Sequence, residues 1–169
     1  MQAASAKARQ QSSTARFTSA VAATVMAALA LFELGLAAGF PWGAAAWGGG
    51  QSVLPAGMRA ASVGAAIVWV TGLLAVLRRG EFRVWSLLPD RWIGAAVWVF
   101  AVYSAVMIVA NAASSSGVER AVMTPTSVVL AVTCVLTARM GRGPVSVAGA
   151  TPQERAPSAP RSPASRSPR

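Results

Sequence analysis

Four long apolar segments constrain this chain more than anything else in it: 17–40, 60–77, 92–113 and 122–138, of 24, 18, 22 and 17 residues. At about 1.5 Å per helical residue, each approaches or exceeds the ~30 Å hydrocarbon thickness of a bilayer, the last only just. A bilayer admits only helices or closed barrels, because every backbone polar group must be satisfied internally. None of the segments alternates polar and apolar residues as a barrel strand does, so the expected fold is all-α, a transmembrane four-helix bundle over 17–140.

Composition agrees: 54% of residues are hydrophobic and 12% charged, with a mean hydropathy of +0.52. A soluble domain carries about twice that charged fraction. The absence of His and the single Cys leave no disulfide framework, no zinc-type ligand set and no imidazole for acid–base chemistry. No enzyme, metal or cofactor is therefore expected. The net charge of +10 invites a nucleic-acid reading, but the cations flank apolar segments without a recognisable binding fold. Charge here reads as topology. Lys7, Arg9, Arg16, Arg78, Arg79, Arg83, Arg91, Arg139, Arg142, Arg155, Arg161, Arg166 and Arg169 fall on one side of the spans, and Arg59 and Arg120 on the other. Thirteen cations against two predict that both termini are cytoplasmic, in a plasma (inner) membrane. Lys7, Arg9 and Arg16 ahead of an apolar stretch containing Ala28-Leu29-Ala30 also suit a signal peptide. The apolar length beyond that site and the three later spans favour an uncleaved anchor.

Outside the spans, 1–16 is a cytoplasmic N-terminal segment, and 141–169 is a basic Pro/Ser-rich tail, expected to be disordered for want of an apolar face. The connection RRGEFRVWSLLPDRW places Phe82, Trp85 and Leu88 at near-helical spacing. It reads equally as a short interfacial helix or as a loop with aromatic anchors, Trp85 and Trp92 among them.

Candidate functional residues gather at the outer face. Glu33 interrupts the first span, where a carboxylate requires a partner or a proton. By depth the partners on offer are Arg59, opening span two, and Asn111, closing span three, with Tyr103 and Ser104 deeper on that span. Gly35 and Gly39 form a small-xxx-small pair that admits another backbone closely. Trp42 and Trp47 in FPWGAAAWGGGQSVLPAGMR are suited to the interface, in a loop shaped by glycines 48–50 and Pro55. In NAASSSGVERAVMTPTS, Glu119 and Arg120 complete an outer polar cluster, and Thr124 followed by Pro125 reads as a helix start. Cys134, Met26, Met107 and Met123 are packing residues.

The motifs FELGLAAGFPWGAAAWGGG with VLPAGMRAAS, and NAASSSGVERAVMTPTSVVLAV, resemble an uncharacterised group of small four-span integral membrane proteins of high-GC bacteria. The resemblance covers about 17–138. It implies a fold and a membrane location and carries over no activity, substrate or catalytic residue. A single Lys among fifteen cations and the abundance of Ala fit such a genome. The expected function is that of a non-enzymatic accessory or interaction subunit. The alternative is a small proton-coupled or oligomeric transporter using Glu33. The expected partners are the lipid bilayer and a second copy or another membrane protein, with no nucleic acid.

Overall fold

A computed structural model describes residues 2–141 of the chain, so the expected disordered tail lies, but for its first residue, outside the described residues. Within them the chain is helical, with no strand: α1 is Gln2–Ala38, α2 Ala56–Arg79, α3 Asp90–Ala112 and α4 Gly117–Met140. All four helices are long and apolar enough to cross a membrane. Consecutive helices run antiparallel and contact in the cyclic order α1, α2, α3, α4, α1, most extensively as the pairs α1–α2 and α3–α4. The start of α1 and the end of α4 therefore share one end of the bundle, called the terminal end below. The opposite end is the cap end.

Val99, Val102, Val106, Val109, Ile67 and Val132 point outward and are more than half exposed. An exterior as apolar as the interior suits helices solvated by hydrocarbon, where burial of apolar groups does not select the inward face. Close approach does. The core of the terminal half is built on Ala22, Ala23, Ala75, Ala101 and Ala138, with Met26, Val76, Ile93, Val97, Phe100, Leu130 and Cys134 filling between them. Gly72 lies directly against the Phe100 ring, which a Cβ there would overlap. The Thr18 and Thr137 hydroxyls meet at 2.9 Å between α1 and α4, so each is satisfied without water.

Two boundaries differ from the sequence expectation, and one connection that the sequence left open is decided. The first helix does not begin at Phe17 but continues back through the N-terminal segment for 37 residues in all. Hydropathy falls there, yet Ala, Gln, Lys and Arg are strong helix formers, and the extension finds contacts. Ser12 donates to Glu81 Oε2 at 2.6 Å, the Arg16 guanidinium lies 5.1 Å over the Phe82 ring, and Ala15 is fully buried.

The connection 80–89 contains no interfacial helix, which decides between the two readings in favour of the loop. Glu81 at φ 65° turns the chain. Arg78 then holds the loop against α3, with Nη1 donating to Val84 O at 2.9 Å and Nε and Nη2 to the two oxygens of Asp90 at 3.1 Å each. A forked pair of this kind fixes orientation as well as charge. Trp85 is 71% exposed and Trp92 55%, while Leu88 packs against the core.

The second correction concerns α4. It begins at Gly117, not at Thr124, and Pro125 lies inside it. The start signal is Ser116-Gly117-Val118-Glu119: Ser116 Oγ accepts from Glu119 N at 3.2 Å and satisfies one of the orphan donors of the first turn.

Candidate functional site

The site is made by the way α1 ends. Gly39 adopts φ 94°, Gly39 N donates to Leu36 O and Phe40 N to Gly35 O, both at 3.0 Å. This pair of bonds is the Schellman arrangement, which reverses the chain and favours Gly at the left-handed position. Reversed, the loop folds back on its own helix. The Trp42 ring stacks on Phe32 at 5.9 Å with 4° between planes, meets Phe40 edge-on at 4.9 Å, and occupies the space beside Gly35. The two glycines expected to admit a neighbouring helix thus receive a Trp ring and end the helix, respectively.

A single 3₁₀ turn, Gly43–Ala45, follows, tied to the return strand of the loop by Gly43 N donating to Ser52 O at 2.9 Å. Leu36, Ala46 and Leu54 form a second small core beneath it. Trp47 sits at φ 54°, ahead of Gly48 at 82° and Gly49 at 70°. For a bulky side chain that backbone is strained, and it persists where the surroundings hold it. Here Trp47 Nε1 donates to Ser62 Oγ on α2 at 3.3 Å. Across the bundle, Ser116 Oγ donates to Ala44 O at 2.6 Å and Ser115 Oγ to Gly48 O at 3.3 Å. The loop 39–55 is therefore a cap, bonded to α2 on one side and to the α3–α4 connection on the other.

Beneath the cap lies a cavity of about 270 Å³ that draws on all four helices. Leu29, Met107 and Leu130 form its apolar part, and Phe32, Trp47, Trp69 and Tyr103 its aromatic walls. Two carboxylates line it, Glu33 from α1 and Glu119 from α4. Glu119 accepts from Ser114 Oγ at 2.5 Å. Glu33 faces the Ser62 hydroxyl and lies within electrostatic reach of Tyr103, but its Oε2 is buried with no hydrogen-bond partner among the described residues. Asn111 Nδ2 donates to Ser127 Oγ at 3.0 Å, both residues facing the cavity. Ser104 is 1% exposed, lines the same space, and its hydroxyl has no partner among the described residues. Buried polar groups of this kind are ordinarily bonded, so the Ser104 hydroxyl and Glu33 Oε2 are two unsatisfied groups on residues that line one cavity.

Of the five residues expected in the polar cluster, Glu33, Asn111 and Glu119 line the cavity, and Arg59 and Arg120 do not. The anticipated Glu33–Arg59 pair is not formed. Arg59 Nε donates to Ala37 O at 2.8 Å, and the guanidinium lies over Gly39. The last carbonyls of α1 lack intrahelical partners and form the negative end of its dipole, which makes them the nearer acceptor for a cation opening α2. Arg120 likewise donates from Nη1 to Ser114 O. The lining residues therefore carry two acids and no cation. Among the described residues no three His, Cys, Asp or Glu side chains converge as a metal set would require. Of the expected anchors, Trp42 and Trp47 belong to the cap and remain nearly half exposed, whereas Trp85 and Trp92 lie at the terminal end.

Sequence reasoning missed Trp69, Ser62 and Ser127. Trp69 was legible in one respect: it stands in mid-span, away from either interface where Trp is expected. No family model, curated protein or solved structure matches the chain.

Proposed function

We propose that this chain is a multi-pass protein of the plasma membrane, with both termini cytoplasmic on the thirteen-to-two distribution of its cations, that takes up a small cationic group in the cavity beneath the cap. One observation carries the reading: Glu33 and Glu119 share a cavity whose lining contains no positive side chain, while the two nearby arginines are engaged by backbone carbonyls. A carboxylate withdrawn from water is stabilised by a cation or by a proton. A cationic ligand offsets the desolvation of Glu33 and finds aromatic faces as well, in Phe32, Trp47, Trp69 and Tyr103. The reading favours the carrier among the two functions expected from sequence. It gives Glu33 the role of principal counter-charge, Ser62 that of orienting Glu33, and Trp47 that of holding Ser62 from the cap.

The test is titration calorimetry of the full chain in lipid nanodiscs with tetramethylammonium. Saturable binding is expected, weakened at least ~10-fold by Glu33→Gln, since a charge-assisted contact in a partly dry site contributes ~1.5–3 kcal/mol. Absence of binding, or equal binding by the variant, would sink the reading and leave the accessory-subunit function in its place.

A further inference from the structure

We infer that the ligand is amphiphilic: an ammonium head group lies in the cavity, and its apolar chain leaves sideways between α2 and α3, past Tyr103, into a groove on the outer surface of α3. The inference rests on the cation-binding reading above and adds the ligand's second half and its route.

A cavity of about 270 Å³ stands below the ~300–1,000 Å³ of pockets that enclose a whole drug-sized ligand, so it takes a head group and a short length of chain and leaves the rest of a long alkyl chain outside. Tyr103 lines both the cavity and a separate shallow groove, whose other residues are Trp98, Val99 and Val102. Tyr103 is 45% exposed, so a residue that lines the cavity also reaches the bundle surface. Apart from the Tyr103 hydroxyl and the Trp98 N–H, that groove presents no polar side-chain group, and it offers an alkyl chain van der Waals packing in place of mobile lipid.

Of the four neighbouring helix pairs, α2 and α3 touch least. At the level of the cavity they meet through Trp69 and Tyr103, edge to face at 5.9 Å. One turn toward the terminal end the seam closes, with Phe100 seated against Gly72. Toward the cap end the α2 residue that lines the cavity is Ala65. On this side the cavity is walled by Ala65 and the Trp69–Tyr103 pair, and rotation of the Tyr103 ring would join the cavity to the groove that the same ring lines. The cap side, by contrast, is tied down by the bonds of Ser116 to Ala44, Ser115 to Gly48 and Trp47 to Ser62.

The experiment compares tetramethylammonium with decyltrimethylammonium on the full chain in nanodiscs, for the native protein, Glu33→Gln and Val102→Trp. Val102 is 61% exposed on the groove, so a larger ring there fills it without entering the core. Val99→Trp, at a site 65% exposed, is the second groove variant should the first not fold. Comparing variants in the same lipid cancels partitioning of the decyl chain into the bilayer. The expected result is that the groove variant weakens decyltrimethylammonium at least ~10-fold and leaves tetramethylammonium within ~2-fold, while Glu33→Gln weakens both. If the groove variants change neither ligand while Glu33→Gln weakens both, the sideways exit is overturned and the head-group site stands. If neither cation binds, or Glu33→Gln changes nothing, both are overturned.

Discussion

Replacing Glu33 and Arg59 singly and together separates a counter-ion pair from two independent contacts. In the structure Arg59 is bonded to the Ala37 carbonyl at the end of α1, and Glu33 faces Ser62 with one oxygen unpartnered. Arg59→Met removes a charge-assisted hydrogen bond and a favourable charge at a helix C-terminus, together about 1–2 kcal/mol at a half-buried position. Glu33→Gln removes a desolvated carboxylate that lacks full compensation, so it is expected to be neutral or to stabilise by up to ~1 kcal/mol. Because the two side chains share no bond, the double variant should equal the sum of the singles within ~0.5 kcal/mol. A buried pair behaves otherwise: loss of Arg59 alone would strand a charge and cost ~3–5 kcal/mol, and the double variant would recover much of it. Equilibrium unfolding of the detergent-solubilised chain, followed by near-UV circular dichroism, measures all four corners of the cycle. A coupling above ~1 kcal/mol, with Arg59→Met the most damaging single change, would refute the placement of Arg59 on α1.

Ser116→Ala should destabilise by ~1–2 kcal/mol in the same assay, because one hydroxyl both caps α4 and bonds the cap loop at Ala44; Ser116→Asp, which keeps the cap but loses the donor, should recover about half. Gly72→Leu drives a side chain into Phe100 and should cost more than ~3 kcal/mol or prevent folding, whereas Gly64→Leu, in open space, should change stability by less than ~0.5 kcal/mol. Reporters active only in the cytoplasm are expected to work when fused to either terminus, and activity of a reporter that requires export would overturn the orientation.

The sequence by itself determined the number of spanning helices, their order and the sharing of one bundle end by both termini. Length and hydropathy suffice for that, because hydrocarbon leaves a backbone no alternative to the helix. It determined less at boundaries. The 2–16 extension of α1 rests on Ser12, Ala15 and Arg16 meeting the 80–89 loop, a contact between residues some seventy positions apart. The true start of α4 was legible as Ser-x-x-Glu at 116–119, but Thr124-Pro125 offered a competing signal closer to the apolar run. Glu33, Asn111 and Glu119 could be named as polar residues at similar depth, since depth follows from rise along a helix. Which of them face one another could not, since an exterior of Val and Ile as apolar as the core erases the amphipathic stripe that would give helix rotation. Rotation came from small residues, from Gly72 against Phe100 and the alanines of the terminal half, and only the packed bundle reveals which of many Ala and Gly are used this way. The same holds for Arg59. Its charge pointed to Glu33, and the end of α1, brought beside it by the Gly39 turn, provided a nearer acceptor.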